Sequence, residues 1–250
     1  MKDALLGFKS KTDPPPPGSN LAPDLFILMI QTPWQKAMFQ KHGEHLLCID
    51  ATHNVSMYEN LNLTTLVVRD KWKHGKNRNI VRHILANPGT GIPVAWMLAS
   101  NGCQETIYFF LKLNRVQNPS TIPRRIMSDF DWPQINGCTA AYSSLILLCW
   151  WHVLHAWQQH FHISTHPDLW TLLKKWIRIT EQAAFNAAWN KIQTIAPDTF
   201  VAYLKQYWMK DQVVRMWSGV HRNPRSLLEE SDTNMLIEAY VLPSPMSYPF

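Results

Sequence analysis

The chain has 250 residues, 46% of them hydrophobic, which is enough to bury a sizeable core in one large domain or in one domain with an insertion. No apolar run approaches the roughly 18 residues that span a bilayer, so no membrane association is expected, and the opening MKDALLGFKS lacks the apolar core of a secretory signal. The formal charge of +6 is compatible with a polyanionic partner, and the four scattered cysteines indicate a reducing compartment rather than a disulfide framework.

The first elements follow a proline-rich N-terminus. Residues 1–23 are predicted to form a disordered linker, because four consecutive prolines cannot join a sheet or a helix interior. A helix is then predicted at QTPWQKAMFQKHG, followed by strands at HLLCID, LNLTTLVVRD and IPVAWMLAS. The last two strands favour a hairpin, yet residues 73–90 between them exceed a usual loop of about two to five residues. This segment is predicted to be an irregular insertion.

The second half of the chain first alternates and then becomes helical. QETIYFFLKLNRVQ has helical apolar spacing, RRIMSD favours a short buried strand, GCTAAYSS a short helix, and LILLCWWHV another buried strand. From about residue 153 to 217 the pattern is helical, and its six tryptophans are more typical of packing anchors than of base-stacking platforms. The order predicts a mixed α/β sheet flanked by helices. We place a core at 24–152, a helical insertion at 153–220 and the end of the core at 221–250.

Acidic residues mark a candidate site. Asp50 and Asp129 each close a predicted strand, where side chains commonly line the ligand crevice of an α/β sheet. Aspartate also ends strands for purely structural reasons, because it favours turns. Glu238 lies on a late helix that Ser, Asp and Thr residues can cap. Three such carboxylates make a site for hard cations such as Mg²⁺ plausible.

The segment CWWH offers a different kind of ligand. It supplies Cys149 and His152, and three more histidines follow at positions 155, 160 and 162. This spacing is compatible with zinc ligands. A structural zinc site needs four ligands, however, and no paired CxxC stands nearby.

Taken in order, several stretches resemble the Mutator-like (MULE) transposase domain, in the form common in transposon-derived fungal proteins. They are LLCIDATHNVSMYENLNLTTLVVRD, GIPVAWMLASN, MSDFDWPQINGCTAAY, LLCWWHVLHAW and DTNMLIEAY, and together they cover about residues 24–240. The resemblance implies an RNase H-like core with a DDE metal triad and an all-helical insertion before the last acid. Asp50 then matches the first acid, Asp129 the second (with Asp131 as the alternative) and Glu238 the third.

The resemblance also implies a chemistry. Two Mg²⁺ or Mn²⁺ ions, about 3.5–4 Å apart, would serve in-line displacement at a DNA phosphate, with transposon ends and target DNA as partners. Cys149 and His152 match the family's C-x-x-H element, which supports the site. A homodimer and a nuclear location are expected from the same resemblance. Four basic residues are expected either to contact phosphates or to form an ordinary solvated surface. They are Arg124, Arg125, Lys174 and Lys175.

Two departures from the family pattern bear on activity. Family members continue past the third acid roughly as E-x-x-H-x-x-L-K, whereas here Pro243 bars helix continuation after Glu238. The insertion at 73–90 is the second departure. Both are typical of a retained intron or a shifted reading frame, and either would weaken or abolish catalysis. Two alternatives therefore stay open: a non-catalytic, transposase-derived DNA- or protein-binding protein, and an unrelated helical interaction protein.

Overall fold

The computed structural model describes residues 2–53, 55–56, 61–69 and 91–222, and these residues form seven strands and eight α-helices. The alternating part contains β1 (Leu5–Lys9), β2 (Ile27–Ile30), α1 (Pro33–His42), β3 (Leu46–Thr52), β4 (Asn62–Arg69), β5 (Gly91–Ala99), α2 (Gln104–Gln117), β6 (Arg125–Ser128), α3 (Trp132–Tyr142) and β7 (Leu145–Leu148). The later helices are α4 (Trp150–Gln158), α5 (Pro167–Trp176), α6 (Gln182–Ile195), α7 (Asp198–Tyr203), which continues into a π-helical turn at Leu204–Trp208, and α8 (Asp211–Trp217).

A single sheet contains the seven strands in the order β1–β2–β5–β4–β3–β6–β7. In sheet order, each pair of neighbouring strands from β1 through β2, β5 and β4 to β3 is antiparallel, whereas β3 and β6 are parallel. The sheet is therefore mixed, which confirms the predicted α/β class, and its arrangement is compatible with an RNase H-like fold. β4 and β5 pair directly, as their sequences predicted. The predicted insertion at 73–90 lies outside the described residues.

The described chain divides into two compact units, one ending at Ile146 and one beginning at Leu147. The first unit contains the larger hydrophobic core, to which strand residues such as Ile49 and helix residues such as Phe110 belong. Four consecutive residues of β3, Leu46–Ile49, are buried, as expected for a strand covered on both faces. The domain boundaries predicted at residues 152 and 220 remain predictions.

The second unit is helical and is built around tryptophan. Four of the six tryptophans predicted as packing anchors are almost completely buried, and their ring centroids lie 4.9–5.7 Å apart where they touch. The indole N–H groups are partly satisfied inside the core, since Trp217 donates to the carbonyl of Trp208 at 3.0 Å. The prediction of packing anchors is confirmed for these four residues, Trp157, Trp176, Trp208 and Trp217.

The N-terminus differs from the predicted linker. Leu5–Lys9 forms a strand that pairs with β2, so this part of residues 1–23 belongs to the sheet. The ammonium group of Lys9 is buried and donates to three carbonyls, including that of Pro23 at 2.6 Å and that of Leu25 at 3.0 Å. The strand was missed because it is short, and because its inward-facing Lys9 breaks the apolar alternation on which strand prediction depends.

Two further element boundaries differ from prediction. The strand predicted over LILLCWWHV ends at Leu148, and α4 begins at Trp150. A continuous apolar run does not distinguish a buried strand from a helix, so the transition inside it was not visible. Helix α3 begins at Trp132, five residues before the predicted GCTAAYSS, because Asp131 caps it and a proline occupies the first turn.

Candidate metal centre

Two acidic residues meet at the carboxyl ends of neighbouring parallel strands. β3 and β6 pair in register, and Cys48 lies opposite Met127. Continuing this register by two residues sets Asp50 opposite Asp129. Because side chains alternate between the two faces of a strand, both acids occupy the same face. The sequence predicted each acid at a strand end, and the strand pairing brings the two together.

The distance between these acids suits a shared cation. One carboxylate oxygen of Asp50 and one of Asp129 lie within 4.8 Å of each other, and both residues are half-buried. Two oxygens on opposite sides of one Mg²⁺ are about 4.2 Å apart, since each bond is about 2.1 Å long. This pair of carboxylates, which we call the metal-holding group, can therefore bind a metal ion. Carboxylate oxygens suit Mg²⁺ and Mn²⁺ alike, so the pair does not select a single metal.

Asp50 follows a fully buried stretch of β3. The four preceding residues of β3 are buried, and Asp50 is the first residue of the strand with a half-exposed side chain. Its Oδ1 atom accepts the backbone N–H of Ala51 at 2.9 Å. A ligand carried by a central strand has a fixed backbone, which favours a defined coordination geometry.

The turn that carries Asp129 is fixed by two polar residues that the sequence analysis did not identify. Gln134 is buried in the first turn of α3, and its side-chain amide donates to the Ser128 hydroxyl at 2.8 Å. That hydroxyl in turn donates to the backbone carbonyl of Asp129 at 3.0 Å. The only sequence signal for this arrangement is a glutamine three residues after the helix-capping Asp131, as in a capping box.

Asp131, the alternative second acid, has a different role. It is the N-cap of α3, and its Oδ2 atom accepts the backbone N–H of Gln134 at 3.2 Å. Burial raises the pKa of Asp131, and the nearby Asp129 charge raises it further, whereas the Gln134 N–H and the His53 charge oppose these effects. Between the two acids of this turn, only Asp129 belongs to the metal-holding group.

The CWWH element spans the junction between β7 and α4. Cys149 is the N-cap residue of α4, is completely buried and makes no side-chain capping hydrogen bond. His152 is half-buried in the first turn of α4. The supporting role expected for Cys149 and His152 stays a prediction.

The other predicted zinc ligands do not form a site among the described residues. Within the part of the chain that the structure describes, Cys149, His155, His160 and His162 form no cluster of three ligands, so the zinc interpretation gains no support. Glu238 lies outside the described residues.

The basic residues proposed as DNA contacts lie in four different settings. Arg124 is exposed and forms an ion pair with Glu44 at 3.0 Å. Arg125 is half-buried at the start of β6. Lys174 is exposed and lies over the ring of Trp170, 5.5 Å from its centroid. Lys175 is exposed on α5.

Comparison with known proteins does not assign the chain to a family. No protein-family model matches the chain, and no curated protein is significantly similar to it. Among the described residues, no helix is both long and apolar enough to cross a membrane. The site geometry is thus the main ground for a functional proposal.

Proposed function

We propose that the chain is the catalytic domain of a DDE-type transposase that resembles Mutator-like elements and carries out metal-dependent cleavage and transfer of DNA strands. The observation that carries this proposal is the meeting of Asp50 and Asp129 on adjacent parallel strands, with carboxylate oxygens within 4.8 Å of each other. A pair of carboxylates held side by side by two neighbouring strands suits phosphoryl transfer, which depends on positioning and charge neutralisation more than on covalent catalysis.

The residues present fit a divalent cation. Asp50 and Asp129 supply carboxylate oxygens, which hard cations prefer. Bound Mg²⁺ or Mn²⁺ would polarise the phosphate and increase the acidity of the attacking hydroxyl. The protein's own contribution is to hold the ligands: β3 fixes Asp50, and the Ser128–Gln134 hydrogen bonds fix the turn of Asp129. By resemblance, Glu238 would be the third acid.

The substrate and setting follow from the same resemblance. Transposon ends and target DNA would be the substrates, the nucleus the compartment, and a homodimer the working form. The described part of the helical unit, residues 147–222, has eight Lys and Arg residues against four Asp and Glu residues, which favours an anionic partner.

The test is cleavage of supercoiled plasmid DNA by the purified full chain in Mn²⁺, with Asp50→Asn as the principal variant. We expect nicking by the wild type and a loss of about 100-fold or more in the variant, because changes outside the ligand shell already cost about 10–100-fold in activity or metal affinity. Asp24→Asn is the matched control, since Asp24 is an exposed acid outside the metal-holding group. Equal nicking by Asp50→Asn and the wild type would reject the site.

A second candidate is a non-catalytic protein derived from such a transposase that still binds DNA. The excess of cations on the helical unit is the observation that favours it. This alternative predicts DNA binding with no Mn²⁺-dependent nicking by the wild-type chain. Nicking that disappears in Asp50→Asn would exclude it.

A further inference from the structure

The helical unit carries a second surface feature within its own helices. Two adjoining hollows, of about 570 Å³ and about 460 Å³, open along α5. The larger one is also lined by α6, through Lys191 and Ile195. Thr171 and Lys175 line both hollows, so the two form one continuous face, which we call the α5–α6 face.

Amphipathic spacing explains why α5 presents this face. Its buried residues, Leu169, Leu173 and Trp176, recur at intervals of three and four and pack into the core of the unit. Between them, Thr171, Lys174 and Lys175 are exposed. The exposed side of α5 is therefore left with its basic residues directed to solvent.

The α5–α6 face is mostly positive. Four cations line the two hollows, against the single carboxylate of Asp168. Lys174 lies in the last turn of α5, and the guanidinium group of Arg178, two residues past the end of the helix, donates to its backbone carbonyl at 2.6 Å. The cations of the face are Lys174, Lys175, Arg178 and Lys191.

Two of these cations have free ammonium groups. Among the described residues, the side chains of Lys175 and Lys191 make no hydrogen bond or ion pair, and both residues are exposed. Arg215, in contrast, is paired with Asp211 at 3.0 Å on α8. Like charges gathered on one face repel each other, and an anionic ligand would relieve this repulsion.

We propose that the α5–α6 face binds the phosphate backbone of duplex DNA, with Lys175 and Lys191 as its main contacts. Flexible lysine side chains suit phosphates as point charges and read no base sequence, so the binding would be independent of sequence. The choice of DNA over another polyanion rests on the proposed function. The surface lies within the helical unit and includes none of the metal-holding residues.

The experiment measures fluorescence anisotropy of a short labelled duplex titrated with the full chain, in EDTA and over a series of salt concentrations. The test variant is Lys175→Gln/Lys191→Gln. The control is Lys205→Gln/Lys210→Gln, which removes the same charge from exposed lysines of the same unit that line neither hollow. We expect the test variant to bind about tenfold more weakly, with a salt slope lower by about 2, because two phosphate contacts are lost. The control should bind nearly as the wild type does.

Three results would overturn the proposal. The role of the α5–α6 face would be rejected if the wild type did not bind the duplex, if both variants lost affinity equally, or if neither variant lost affinity. Tighter binding of an acidic peptide than of the duplex at the same salt would assign the face to a protein partner instead. Because the assay contains EDTA, its outcome does not depend on cleavage. If the chain binds the duplex but does not nick plasmid DNA, only the catalytic proposal is rejected. Near-UV circular dichroism checks that each variant retains its tryptophan core.

Discussion

Asp129 and Asp131 show how two acids in one turn acquire different roles. Both are aspartates after the same strand, and the sequence offered either as the second acid. Asp131 is committed to the first turn of α3, where its carboxylate accepts a backbone N–H. Asp129 is set by strand register opposite Asp50. The difference arises from geometry rather than from residue type.

At the residue scale, we predict that Asp129→Asn weakens Mn²⁺ binding by at least about tenfold, because a charged ligand is replaced by a neutral one. Asp131→Asn is the matched control, and should change Mn²⁺ affinity much less without destabilising α3, since asparagine caps helices as well as aspartate does. Isothermal titration calorimetry with Mn²⁺ measures the two affinities. A larger loss in Asp131→Asn than in Asp129→Asn would make Asp131 the ligand.

At the scale of the elements, α3 is positioned by close contact with α2. A Cβ atom added at Gly137 would lie 2.8 Å from Cγ2 of Ile107, so glycine permits the approach of the two helices. The hydroxyl of Tyr142 donates to Oδ1 of Asn114 at 2.7 Å, and this buried bond ties the end of α3 to α2. Because α3 also carries Gln134, its placement determines the turn that presents Asp129.

We predict opposite effects for neighbouring alanine substitutions in α3. Gly137→Ala should be destabilising by up to about 2 kcal/mol, since the overpacking cost of about 1–3 kcal/mol outweighs the gain in helix propensity of about 1 kcal/mol. Asn136→Ala, at an exposed position of the same helix, should be neutral or stabilising by up to about 0.7 kcal/mol. Urea unfolding followed by circular dichroism measures both. Stabilisation by Gly137→Ala would mean that α2 and α3 are not in close contact there.

At the scale of the whole molecule, the described chain has two cores of different composition. The sheet unit has a core of mainly aliphatic residues with a few aromatic rings. The helical unit is centred on tryptophans, and Trp217 contacts the rings of Trp157 at 5.1 Å and Trp176 at 4.9 Å. The carbonyl of Trp217 also accepts the indole N–H of Trp150 at 2.6 Å. A few large rings thus fill the interior of a unit made of short helices.

We predict that Trp217→Ala lowers the free energy of unfolding by about 3–5 kcal/mol, because it leaves a large cavity. Trp217→Phe should lower the free energy of unfolding by less, which keeps the test informative if the alanine variant does not fold. Trp151→Ala is the control: its side chain is 45% exposed, so the change should stay within about 0.5 kcal/mol. Urea unfolding followed by tryptophan fluorescence gives the values. Similar losses for Trp217→Ala and Trp151→Ala would contradict the central position of Trp217.

Much of the fold was predictable because it depends on local patterns. The apolar spacing of Gln104–Gln117 predicted α2 at its observed bounds, and the β-branched run of Asn62–Arg69 predicted β4. The first strand was not predictable, because Lys9 turns inward and two of its three acceptor carbonyls, those of Pro23 and Leu25, are distant in sequence. The beginning of α4 was also missed, since an apolar run has no period that separates strand from helix.

The sequence by itself indicated two strands that carry acids near their ends, a CWWH segment inside a further apolar run, and a tryptophan-rich helical part after them. Only the tertiary structure decided that β3 and β6 are parallel neighbours, and therefore that Asp50 and Asp129, 79 positions apart in the chain, lie side by side. The physical reason is that strand pairing depends on burial of the whole sheet, whereas propensity and spacing act over a few residues.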